Sequence, residues 1–411
     1  MKVAFISYEY PPDTAYGGIA TYVYQAARVL QQRGHQVEVF ACSRYRTRTE
    51  TENEILVHRI NETDPTNFVK RIGQLFAERH SLVKFDVVEG TDYNADAREA
   101  VHLVPEIPLV VKLHTPAFLA AKINKEKPSL LDEVRKYIDM GVLRSKGINR
   151  NWKYNFKEDI EYIHALKADE IVAPSQAIAD ELIKAWKLNR NKISLVPYPY
   201  VPSRELLEIP VENQTNVVTF IGRLENRKGI LDLAQAIPIV LKQHPEVSFR
   251  FIGRKRPSPN PNLDMQQYIE SMLQPYINSL EFIGFVPLDK IPSYLGTTDL
   301  CVFPSLWENF PFVCLEAMAA ARGIVGSSSG GMVEQLNHGK CGRLVPPHNP
   351  NQIAKAVVEL LRNPSLRMEL GQAARKRVLN EYNIERIGLL QENSYARAIK
   401  KRETMGSRFY N

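Results

Sequence analysis

The chain has 411 residues, 44% of them hydrophobic and 24% charged, the values of an ordinary globular protein with room for two or three domains. Its net charge of +7 admits an acidic substrate, an anionic membrane surface or nucleic acid and selects none of them. The opening apolar run, Met1 to Ser7, is too short for a signal peptide or a membrane span, and no other stretch is long enough to span. Cys42, Cys301, Cys314 and Cys341 lack metal-ligand spacing and read as buried reduced thiols, which fits a cytoplasmic protein.

Taken in order, short apolar runs alternate with helical patterns. Strands are predicted at 2–7, 36–41, 85–89, 109–114, 170–173 and 193–196, with helices at 18–32, 66–79, 95–104 and 176–186. A second set of strands follows at 217–221, 248–252, 280–283, 300–303 and 324–326. Between the sets, Pro197, Pro199 and Pro202 and a charged stretch to Thr215 read as a linker. A long helical pattern occupies 383–401, with a tail after Arg402 expected to fray. Such alternation predicts an α/β protein with parallel sheets covered by helices on both faces. The expected division is a first unit at 1–198, a linker at 199–215, a second unit at 216–382, and the helical segment 383–411.

The chemistry centres on residues 304–318. A buried strand ending at Phe303 leads through a loop containing Glu308 into a helix containing Glu316, with Pro311 expected in the first helical turn and Gly323 as its stop. In an open parallel sheet, ligands bind where such loops leave the C-terminal strand ends. The first amides of the helix favour an anion there. Two carboxylates beside an anion site make sense if they accept hydrogen bonds from hydroxyls of the same ligand. A ligand with both phosphates and a polyol is a sugar nucleotide.

Glu308 and Glu316, with seven residues between them, resemble the Glu-x7-Glu motif of the retaining glycosyltransferases of family 4, which have the GT-B fold. Residues 330–334 (Gly-Gly-Met-Val-Glu), 339–345 (Gly-Lys-Cys-Gly-Arg-Leu-Val) and 222–229 (Gly-Arg-Leu-Glu-Asn-Arg-Lys-Gly) resemble the same family, and the four motifs stand in its order. The resemblance implies two Rossmann-like units facing a cleft, the first receiving the acceptor and the second the nucleotide-diphosphate sugar, with the last helix crossing back onto the first. Polysaccharide biosynthesis is the implied setting.

Residue by residue, the resemblance places Gly17 and Gly18 in a donor loop, where glycine lets the backbone approach a phosphate. His114 at a strand end would touch the donor sugar. Arg223 and Lys228 would hold the diphosphate, the first as a fork and the second as a point charge, with Arg227 close enough to compete for that assignment. Gly222 belongs to the same donor loop. The turn containing Val286 would meet the nucleobase. Glu308 would hold the sugar and Glu316 the ribose, and the amides of Phe310, Phe312 and Val313 would face sugar and phosphate. The expected catalytic set is His114, Arg223, Lys228 and Glu308.

No Asp-x-Asp occurs, so a metal-independent reaction without cofactor is expected; no Gly-x-Gly-x-x-Gly occurs, which weighs against a dinucleotide oxidoreductase. The acceptor is expected to be a glycan, a lipid-linked sugar or a small molecule. Residues 117–157 carry ten Lys and Arg against four acids, interleaved with aromatic residues such as Phe118, Tyr137, Trp152, Tyr154 and Phe156. That mixture suits an anionic lipid surface or acidic glycan, against the plainer reading of a solvated basic face. Nucleic acid lacks a supporting motif. Two other readings remain: a GT-B sugar-nucleotide epimerase, and a sugar-nucleotide binding protein without catalysis.

Overall fold

The computed structural model describes residues 1–14, 17–124 and 154–408. Fourteen strands form two sheets among these residues. The first sheet holds β1 (Lys2–Ser7), β2 (Gln36–Ser43), β3 (Arg48–Glu52), β4 (Ile55–Asn61), β5 (Val87–Thr91), β6 (Leu109–Lys112), β7 (Glu170–Ala173) and β8 (Ile193–Leu195), in the order β3-β4-β2-β1-β5-β6-β7-β8. The second holds β9 (Val217–Ile221), β10 (Ser248–Ile252), β11 (Leu280–Gly284), β12 (Leu300–Phe303), β13 (Gly323–Ser327) and β14 (Arg343–Val345), in the order β11-β10-β9-β12-β13-β14. Every pairing is parallel except β3 with β4. Central strands such as β5, β9 and β12 are buried along their whole length, as parallel strands covered on both faces must be. The result is the two-sheet α/β architecture expected.

Local chemistry sets the helix starts. Asp64 accepts from the amides of Thr66 and Asn67, and Pro65 occupies the first turn of helix Pro65–Val83, where its missing N–H costs nothing. Ser175 caps helix Gln176–Trp186 and Asn383 caps helix Ile384–Met405 in the same way. Three expectations need correction. The helix after β12 runs only Phe312–Ala319, with Pro311 as its N-cap and Ala321 in the left-handed region at φ 53°. Gly323 therefore opens β13 and does not stop a helix. A Cβ there would sit 2.5 Å from Leu300 Cδ2 and 2.7 Å from Arg367 Cγ, so its role is close packing of strand against helix. The segment before Thr215 contains a short helix, Arg204–Leu207, capped by Ser203. And the described residues after Arg402 are tied down: helix continues to Met405, and Arg402 and Arg408 both pair with the buried carboxylate of Asp169.

Helix 384–405 lies against the first sheet, not the second. Buried Glu89 of β5 accepts from Tyr395 (2.7 Å) and Gln391 (3.3 Å) on this helix and from Tyr22 (2.5 Å). Arg33 reaches Glu392 at 2.7 Å and Glu385 at 2.5 Å. Gly388 lets the helix come this close, since a Cβ there would lie 2.1 Å from Arg33 Cδ. One apolar cluster spans both halves, with Tyr22, Tyr198, Tyr200, Phe310, Phe312 and Leu315 among its members, while Trp307 joins a separate core beneath the first sheet.

Candidate active site

The C-terminal ends of both sheets face each other, and the loops leaving them carry the polar residues singled out above. On the first sheet, β6 runs into His114. Its backbone N–H donates to Asp92 Oδ1 (2.9 Å), and Nδ1 lies 3.0 Å from the Lys112 carbonyl, so Nδ1 carries the proton that bonds it. Nε2 is buried with no hydrogen-bond partner. The ring packs edge-on against Tyr22 at 5.3 Å and beside Tyr198 at 5.5 Å. It is held rigidly, with one polar atom left to meet a ligand.

On the second sheet, β9 leads through Gly222 into the loop of Arg223, Arg227 and Lys228. Gly229 closes this loop at φ 69°, and a Cβ there would strike the Pro304 carbonyl at 1.9 Å. Glycine is thus what allows the cationic loop to lie under the loop after β12. Leu306 N donates to the Arg227 carbonyl (2.9 Å), which locks the two loops together. Within this frame Lys228 Nζ meets Glu308 Oε1 at 2.5 Å and Arg227 Nη1 lies 3.5 Å from the same oxygen. Burial pushes the Glu308 carboxyl up, but Lys228 and Arg227 more than reverse this and hold it below the usual carboxylate range. Burial lowers Lys228, against the pull of Glu308. Arg223 is more exposed and pairs with Glu225 at 2.9 Å.

Glu316 sits one turn into helix Phe312–Ala319, only 8% exposed, with Oε2 unpartnered. Burial alone pushes its carboxyl up to about 8. The amides of Phe312 and Val313 open this helix and have no acceptor within it. Phe310 and Phe312 are core residues, the first edge-on to Tyr198 at 5.6 Å and the second stacked on it at 5.4 Å. Val286 follows β11 at the sheet edge, half-buried, beside exposed Phe285, whose ring carries the Arg254 guanidinium at 4.4 Å. Gly17 and Gly18 begin the first helix in open space; no atom lies within 4 Å of a Cβ built at either.

Of the sequence-derived set, Lys228 and Glu308 pair directly, and Asn309, the residue after Glu308, donates its side-chain N–H to the His114 carbonyl at 2.8 Å, which sets the loop after β12 against the end of β6. Several residues were missed. Glu9, two positions past β1, has a buried unpartnered Oε2. Burial raises its carboxyl, opposed by a backbone bond from Ala20 and by the nearby charges of His114 and Arg223. Asp92, just past β5, orients His114. Both sit beyond the end of a parallel strand, and that position was the available signal. Arg227 was not missed, having been named as a rival for the diphosphate; here it shares Glu308 with Lys228. Among the described residues, no group of three or more His, Cys, Asp or Glu is placed to hold a metal.

Most of the basic stretch, 125–153, lies outside the described residues, including Lys125, Lys127, Tyr137 and Trp152. Its described ends do not display their aromatics. Phe118 stacks on Tyr154 at 4.8 Å and lies 5.6 Å from Trp186, Leu119 is 2% exposed, and Phe156 packs edge-on to Tyr162 at 5.0 Å. Leu119 and Trp186 belong to the core of the first half, and Phe118, Phe156 and Tyr162 pack half-buried against it. Among the described residues no helix is long and apolar enough to cross a membrane.

Arg223→Ala removes the most exposed of the three cations in this loop. The expected loss is about 2–4 kcal/mol in kcat/KM for a diphosphate-bearing donor, the scale of one preorganised charge-stabilising donor. Unchanged kcat/KM would place the diphosphate elsewhere.

Comparison with known proteins covers the chain in two adjoining parts. Residues 16–204 match the family described as Glycosyltransferase Family 4, and residues 204–377 match Glycosyl transferases group 1. A glycosyltransferase of Methanocaldococcus jannaschii is 25% identical over 97% of this chain and 99% of its own length. Among solved structures, sucrose-phosphate synthase from Thermosynechococcus elongatus superposes with a TM-score of 0.71 at 20% identity, covering 97% of this chain and 99% of that one. HepE of Anabaena in complex with UDP-glucose superposes with a TM-score of 0.64 at 16% identity, covering 96% and 100%.

Proposed function

From a chain that belongs to the family 4 glycosyltransferases, a retaining family with the GT-B fold, we propose an enzyme that moves a sugar from a nucleoside diphosphate donor to a glycan, lipid-linked or small-molecule acceptor without a metal ion. The observation that carries this reading is Glu308, held ionised by Lys228 and Arg227 in the loop next to His114. In it, Arg223 and Lys228 neutralise the leaving diphosphate together with the first amides of helix 312–319. Glu308 and His114 hold the sugar, Glu316 receives the ribose hydroxyls, and the turn at Val286 receives the base. Retention then proceeds by front-face attack through an oxocarbenium-like transition state, with the departing phosphate taking the acceptor proton. The first half receives the acceptor and the second half the donor. HepE, of the same fold, binds UDP-glucose, which supports a sugar nucleotide as donor.

The test is donor turnover. A thermal-shift screen against UDP- and ADP-sugars selects the donor, since a ligand that binds only the native state raises its melting temperature. Nucleoside diphosphate release is then measured with and without a pool of sugar acceptors, in the presence of EDTA. Release that depends on acceptor and survives EDTA is the expected result. Acceptor-independent conversion of the donor indicates an epimerase, binding without turnover indicates a binding protein, and loss with EDTA restored by a divalent ion overturns the metal-free route.

A further inference from the structure

The two halves are joined across the cleft by side chains to which this reaction scheme gives no role. Asn309 is 5% exposed and follows Glu308 directly. Its Nδ2 donates to the carbonyl of His114 (2.8 Å), and its Oδ1 accepts from Ser175 Oγ (2.9 Å). The carbonyl partner requires the amide nitrogen on that side, so the orientation of the Asn309 side chain follows from chemistry. Ser175 is itself the N-cap of helix Gln176–Trp186 in the first half, 3.3 Å from the Ile178 amide. The same helix end receives a second group from the other half. Glu334 Oε2 accepts from Gln176 N (2.9 Å) and Oε1 from Ala177 N (3.0 Å). These are two of the orphan donors every helix start leaves open, and a carboxylate there also meets the positive end of the helix dipole.

Glu334 is fixed from behind. Arg377 donates to the carbonyls of Glu334 and Gln335, both at 3.0 Å. The approach depends on Gly331, where a Cβ would lie 1.9 Å from the Asn309 carbonyl and 2.7 Å from Ser175 Cβ. Gly331 N in turn donates to the Glu308 carbonyl at 2.8 Å, and Glu308 bridges Gly330 as an isolated strand pair. Asn309 and Glu334 therefore belong to one interlocked unit with Glu308.

We infer that Asn309 and Glu334 are positioning residues: they clasp the helix start at 175–177 and the His114 carbonyl, and so set Glu308 of one half in register with His114 of the other. The inference rests on the reading that Glu308 and His114 share the donor sugar. Neither Asn309 nor Glu334 need touch the substrate. Their bonds replace water at polar groups that solvate themselves when the cleft opens, so the clasp is worth little as gross stability and much as geometry.

The test uses the full chain with Asn309→Asp, Glu334→Gln and Glu334→Ala. Asn309→Asp keeps the acceptor for Ser175 but turns a carboxylate oxygen on the His114 carbonyl. It should lower kcat for the selected donor at least tenfold, with affinity for the free nucleoside diphosphate changed less than threefold because Arg223 and Lys228 are untouched. Glu334→Ala should raise amide exchange at Gln176 and Ala177 and enlarge the radius of gyration in small-angle scattering. Glu334→Gln, which retains one acceptor, should fall between it and the wild type. Equal exchange and scattering for Glu334→Ala and wild type, or normal kcat in Asn309→Asp, would overturn the clasp. If the wild type turns over no donor while exchange and scattering shift as stated, the clasp stands and the transferase reading fails.

Discussion

Glu308→Ala is expected to reduce donor turnover by about 10²–10³-fold, the range for deleting one preorganised polar group at a reacting centre, in a protein whose circular dichroism is unchanged. The size of the effect comes from what Glu308 leaves behind as much as from what it contacts. Lys228 lies against it at 2.5 Å, and burial already presses that ammonium toward its neutral form. Without the carboxylate, Lys228 keeps only the repulsion of Arg227 and Arg223. It is then a poorer cation for a diphosphate, so sugar and phosphate contacts fail together. The losses in Glu308→Ala and Lys228→Ala should accordingly not add, with an interaction energy of about 0.5–3 kcal/mol in the double-mutant cycle. Near-normal turnover in Glu308→Ala sinks the assignment, and strict additivity sinks the coupling.

The second large effect runs the opposite way. Glu316→Gln should stabilise the free protein while weakening donor binding. Glu316 is buried, has an unpartnered oxygen and titrates near 8. An unfolded glutamate ionises near 4.5. Below that pH both states hold the proton and the raised pKa contributes its full stability. As pH rises through the window from 4.5 to 8 the unfolded chain releases the proton and the folded chain keeps it, so that stability is lost. Above pH 8 the folded protein carries an ionised, desolvated carboxylate. Glutamine escapes this, and the gain in unfolding free energy at pH 8–9 should be about 1–3 kcal/mol, vanishing toward pH 4. Thermal melts across pH check it; a glutamine variant that melts no higher than the wild type above pH 8 refutes the burial argument. The same carboxylate must be ionised to accept two ribose hydroxyls, so donor affinity of the wild type should strengthen between pH 6 and 9, and that trend should be absent in the glutamine variant.

Much of this site was legible because its parts recur at fixed places relative to strand ends. Continuous apolar runs placed β1, β7, β9, β10 and β12 at their observed limits, and the cations and carboxylates beyond them followed. Three strands escaped. β3, Arg-Thr-Glu-Thr-Glu, has no apolar residue at all. It pairs because Arg59, fully buried on β4, needs Glu50 and Glu52 as partners, and Arg48 reaches Asp13 at 2.7 Å. Polar residues that satisfy a buried charge carry no hydrophobic period. β4, overlooked beside it, has its apolar run broken by His58 and Arg59, and β14 is only three residues long. In the site, Asn309 and Asp92 were hidden for another reason. Their roles are to hold other residues across long separations in the chain, and nothing local in sequence marks such a partner. The short helix 312–319 was overextended because Ala320 and Ala321 are good helix formers, whereas the turn into β13 puts Ala321 at positive φ.

The binding of helix 384–405 to Glu89 has a consequence during synthesis. At roughly 5–20 residues per second a ribosome needs about 10–40 s to go from the end of β8 to Tyr395. Throughout that interval the emerging first sheet carries a carboxylate in β5 whose two later partners, Gln391 and Tyr395, have not been made. The part of the first sheet that helix 384–405 covers stays bare while the whole second sheet is translated. The first half is thus born first and finished last, and the stretch of nascent chain that chaperones would meet is the face this helix later covers.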